Sequence, residues 1–150
     1  MRVLLLLLVA GCHETRHCSM PGDHETTPAQ QVELPPISLA GFTIGANAAA
    51  IAKQCAAPVG EVIRCGATLL RFDAWGRAIE ISTDDPAVSR EAAGAAIDRA
   101  LGGDGTYVGQ SDWSWQGGRV YLTDPPLTLR YDDDRMHERT IYGLPNCGAQ

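Results

Sequence analysis

Lysine is almost missing from this chain. Of twelve basic residues only Lys53 is a lysine, and eighteen acidic residues bring the formal net charge to −6. A surface this short of cations argues against nucleic acid as a partner, because phosphate binding needs a basic patch or stripe. Histidine is scarce and poorly placed for catalysis. Of the four, His13, His17 and His24 fall in a polar stretch where no base could be held in position. His137 lies near Asp132, Asp133 and Asp134, but neither Ser89 nor Ser111 sits in a nucleophile elbow. The aspartate run lacks the spacing and the bidentate Glu of a calcium loop. Enzymatic chemistry, a cofactor and a resident metal are therefore not expected. The longest apolar run, Val3 to Val9, has seven residues. That is far short of the roughly 20 a membrane-spanning helix needs.

That short run is nonetheless informative. Met1 and Arg2 precede it, and Val9-Ala10-Gly11-Cys12 closes it. A basic start, a short greasy segment and small residues at a cut make a secretory signal peptide. The last four residues resemble the lipobox of bacterial lipoproteins. The resemblance implies that Cys12 receives a diacylglyceryl group, that residues 1–11 are removed, and that the new amino terminus is acylated. The implied place is the bacterial envelope. Because His13 and not Asp follows the cysteine, the outer membrane, facing the periplasm, is the expected destination. Loss of residues 1–11 removes Arg2 and takes the net charge from −6 to −7.

Residues 12–36 read as the lipidated cysteine and a flexible tether. Pro21, Gly22, Pro28, Pro35 and Pro36 punctuate the stretch, and no apolar periodicity supports packing. Twenty-four flexible residues from His13 to Pro36 reach roughly 25–30 Å. The tether also holds His13, His17, Cys18, Met20 and His24, a set that suits a soft metal such as copper but matches no known spacing. A metal-handling lipoprotein working through this tail is the rival to a protein-binding one.

Residues 37–150 form the expected domain. Asn47 caps a first helix with Ala48, Ile51, Ala52 and Cys55 on one face, ended by Pro58 and Gly60. Thr68–Asp73 and Arg77–Ser82 form a hairpin around Ala74-Trp75-Gly76. Asp85 and Pro86 start a second, alanine-rich helix that Gly102 closes. A meander follows: Tyr107 to Trp115 as one strand, a turn at Gly117-Gly118, then Arg119–Thr123 and Leu127–Tyr131. The expected fold is α+β. It is an antiparallel sheet with two helices packed on one face, built as two tandem helix–hairpin units.

If Cys12 carries lipid, four cysteines remain and three pairings are possible. The nine-residue gap between Cys55 and Cys65 favours that pair, with Cys18–Cys147 following by elimination. Gly41-Phe42-Thr43-Ile44-Gly45 before a short helix, Pro58 after it and the hairpin beyond resemble two groups. One is the small periplasmic domains with a β-lactamase-inhibitor-protein-like fold. The other is the outer-membrane assembly lipoproteins of the BamE/SmpA type. The inhibitor-like proteins also close the helix-to-strand turn with a disulfide, at the place of Cys55 and Cys65. The resemblance implies a domain that binds proteins and performs no chemistry. Trp113 and Trp115, two apart on a strand, share one face. They are either core beneath alanine-rich helices or the centre of a protein-binding patch with Tyr107, Tyr121 and Arg119.

Overall fold

The computed structural model describes residues 24–109 and 111–142, excepting the side chain of Tyr142. It divides into two units, Ala29–His137 and the flanking segments Met1–Pro28 with Glu138–Gln150. In the flanking unit β1 (His24–Thr27) pairs antiparallel with β11 (Arg139–Tyr142), Thr27 opposite Arg139.

The larger unit opens with a clamp. Val32 and Ile37 are buried, and Arg77 donates to the Val32 carbonyl at 2.6 Å while its Nε holds Asp73 at 2.9 Å. The compact unit thus takes in residues ahead of Ile37. Next, β2 (Ser38–Leu39) and β3 (Phe42–Thr43) make a tight hairpin. Both of its turn residues, Ala40 and Gly41, have positive φ, as the right-handed twist of a two-residue hairpin demands. Helix α1 (Ala48–Gln54) follows, with Asn47 Oδ1 accepting from the Ala49 and Ala50 amides. The Cys55–Cys65 disulfide ties its end to β4 (Val62–Cys65).

Strands β4, β5 (Thr68–Phe72) and β6 (Ala78–Thr83) form a meander. Helix α2 (Arg90–Leu101) then leads to a second meander of β7 (Thr106–Gly109), β8 (Asp112–Trp115), β9 (Val120–Thr123) and β10 (Leu127–Tyr131). Strand β10 pairs with β6. All seven strands therefore lie in one antiparallel sheet, in the order β4-β5-β6-β10-β9-β8-β7.

This corrects the expected fold class. The described chain is mostly β, not an α+β fold of two helix–hairpin units. The helices are only 7 and 12 residues long. They bury just Ala48, Ile51 and Ala52 from one, and Ala93 and Ile97 from the other. Alanine-rich stripes remove little apolar area from water, so the sheet supplies most of the core. Two local expectations change as well. Helix α2 is capped by Ser89, whose Oγ accepts from the Ala92 amide at 3.0 Å. Asp85 instead caps a preceding turn through the Ala87 amide. The stretch from Tyr107 to Trp115 is not one strand but the hairpin β7–β8, because Gly109 and Ser111 adopt positive φ and reverse the chain.

Candidate functional site

The register of the sheet defines the site. One apolar row crosses all seven strands: Ile63, Leu70, Ile81, Leu129, Leu122, Trp113 and Tyr107, each opposite the next. Residues directly opposite in antiparallel strands share a face, so the row is one continuous stripe. The first five members are at most 1% exposed, whereas Trp113 is half-buried and Tyr107 is 61% exposed. The apolar stripe is longer than its cover. Its cover ends between Leu122 on β9 and Trp113 on β8, where Gly94 and Ala95 of α2 line the open space.

The result is a cleft of about 310 Å³ floored by Trp113, the edge of Trp115 and Leu122. One wall is α2, and the other is Asp104 and Gly105. Apart from that edge Trp115 is enclosed, only 6% exposed. Its indole Nε1 donates to Asp98 Oδ1 at 2.7 Å, and the Gly105 amide donates to the same oxygen at 3.0 Å. Gly105 is needed there, since a Cβ would come within 2.5 Å of the Trp115 ring. Trp113 has the Tyr107 ring 5.4 Å away on one side and the Arg90 guanidinium 4.8 Å above its face. Arg90 also pairs with Glu91 at 2.9 Å. The Glu91 backbone amide at the helix start and the neighbouring guanidinium hold the Glu91 carboxyl below the usual carboxylate range. Beside the cleft, β7 is an edge strand whose Tyr107 and Val108 are exposed.

The five residues expected to form one patch are divided. Trp113 and Tyr107 meet at the cleft, and Trp115 is core. Tyr121 is opposite Ser114 in register, hence on the other face of the sheet, where the Arg130 guanidinium lies 5.1 Å from its ring. Arg119 serves a different group. Its Nε lies 3.3 Å from Asp133 Oδ2, and Arg135 grips the same carboxylate through Nε at 3.0 Å and a terminal nitrogen at 2.7 Å. The Asp133 side chain is buried, and the Tyr131 hydroxyl donates to it at 3.4 Å. Arg135 first, and then the Arg135 amide and Arg119, hold its carboxyl far below the ordinary range.

Exposed His137 bonds half-buried Asp132 at 2.9 Å, and no hydrogen bond joins it to Ser89 or Ser111. Among the described residues no group of three His, Cys, Asp or Glu side chains could hold a metal ion. Cys12, Cys18, Cys147, His13, His17 and Met20 lie outside the described residues. Among the described residues no helix is long and apolar enough to cross a membrane. Compared with known protein families, curated proteins and solved structures, the chain matches none. The cleft itself was hidden from sequence reasoning. Its one available signal was Gly105 a few residues ahead of Trp113 and Trp115.

Proposed function

We propose that this chain is a lipoprotein of the bacterial envelope, anchored at Cys12 in the outer membrane, whose periplasmic domain binds another protein and catalyses no reaction. The anchoring part rests on Val9-Ala10-Gly11-Cys12 after the short apolar run. The binding part rests on one observation. The apolar row of the sheet emerges from cover at Trp113 and Tyr107, beside an edge strand that also exposes Val108. Aromatic side chains next to a cleft are the usual anchors of protein interfaces. An edge strand adds unpaired backbone groups that an incoming segment can use.

Site-specific photo-cross-linking in cells tests the reading. A photoreactive side chain at position 107 of the lipidated protein should give a discrete protein adduct. The same group at exposed position 84, outside the cleft, should give none. An unmodified band at 107 under all growth conditions would remove the support for a binding face there.

A further inference from the structure

We infer that the cleft between α2 and β8 receives a cationic side chain, arginine or lysine, from the partner. This deepens the protein-binding reading and rests on it. Three features of the cleft bear on its occupant. Its floor is the half-buried Trp113 ring, an apolar surface suited to the methylene stem of a long side chain. Its rim is acidic: Glu91, Asp98 and Asp104 stand against the single cation Arg90. Asp104 is exposed and has no hydrogen-bond or ion-pair partner among the described residues. Finally, the Trp113 face already holds a guanidinium, that of Arg90 at 4.8 Å. The negative face of an indole attracts a cation, and carboxylates around it add directional acceptors. An acidic or purely apolar side chain would gain neither.

Arg90 does not close the site. It sits at the first helical position of α2, where the helix dipole disfavours a cation, and its guanidinium also pairs with Glu91. A volume of about 310 Å³ remains beside it, enough for one long side chain.

The test uses the full mature chain with Trp75→Phe, so that only Trp113 and Trp115 of the three tryptophans emit. Acetyl-Gly-Arg-Gly-amide is titrated against its norleucine and glutamate counterparts. The arginine peptide should change the emission saturably, with a dissociation constant on the order of millimolar, as befits a single side chain. The other two should bind at least about fivefold more weakly. Asp104→Asn should weaken the arginine peptide by a similar factor. Asp84→Asn, an equal loss of charge on an exposed residue outside the cleft, should not. Circular dichroism confirms that each variant is folded. No saturable response to arginine, equal binding of norleucine, or equal weakening by the two Asp variants overturns the inference. If the cross-link at position 107 forms while the arginine peptide fails, the partner chemistry is wrong and the binding face stands.

Discussion

At the scale of single residues the two tryptophans separate. Trp115 is core and hydrogen-bonded to Asp98, so Trp115→Ala should cost about 3–5 kcal/mol. Half-buried Trp113 should tolerate Trp113→Ala with a markedly smaller loss of stability. In the Trp75→Phe background, chemical unfolding and acrylamide quenching of the single variants should show Trp113 quenched and Trp115 protected. The opposite order of protection would reverse the assignment. Gly105→Ala drives a methyl into the Trp115 ring and should cost about 1–3 kcal/mol, read as a lower melting temperature. Asp133 predicts a pH dependence. Its carboxyl sits below the ordinary value of 3.8 in the folded protein, so the unfolded chain takes up the proton first. The stability it contributes is complete above the unfolded value. It is lost as pH falls below about 4 toward the lower folded value. Urea melts at pH 7 and pH 3 should show this loss. Asp133→Asn should lower stability at pH 7 by about 1.5–3 kcal/mol and flatten the acid slope. An unchanged slope in that variant would assign acid sensitivity to other carboxylates.

At the scale of elements, caps and cross-links carry measurable shares. Ser89→Ala should cost α2 about 1 kcal/mol, while Asp85→Ala should leave the helix start intact. Helicity by circular dichroism and the melting temperature distinguish the two. Reducing Cys55–Cys65 opens a loop of sequence separation 10 and should cost about 2–3 kcal/mol, checked by melting with and without reductant. Much at this scale was legible. Asn47 as a cap, the hairpin at Trp75 and the glycine turn after Trp115 follow from local residue chemistry and local periodicity. The start of α2 was misread because Asp85-Pro86 and Ser89 both carry start signals, and only the chain path decides which one caps the helix. The β7–β8 hairpin was missed because Gly109-Gln110-Ser111 is a weak turn signal within a run of strand-forming residues.

At the scale of the whole molecule, the anchor is the first thing to test. Cells fed labelled fatty acid should label the wild-type protein and not Cys12→Ala; equal label on both would remove the lipoprotein reading. The sheet edge is a second matter. Strand β7 carries no lysine or proline to discourage pairing, and only the irregular register after Tyr107 shortens it. The sequence by itself determined what depends on neighbours along the chain: alternation in the strands, the Asn47 cap and the nearness of Cys55 to Cys65. The lipid-anchor expectation rests on equally local signals at Cys12, outside the described residues. The tertiary structure alone decided that β10 pairs with β6, which merged two expected units into one mostly β sheet. It also decided that Trp115 is core while Trp113 opens on a cleft. Both outcomes depend on register across strands distant in sequence, and on how far a helix of small residues extends over them. Alternation places a side chain on a face; it does not say where the cover on that face stops.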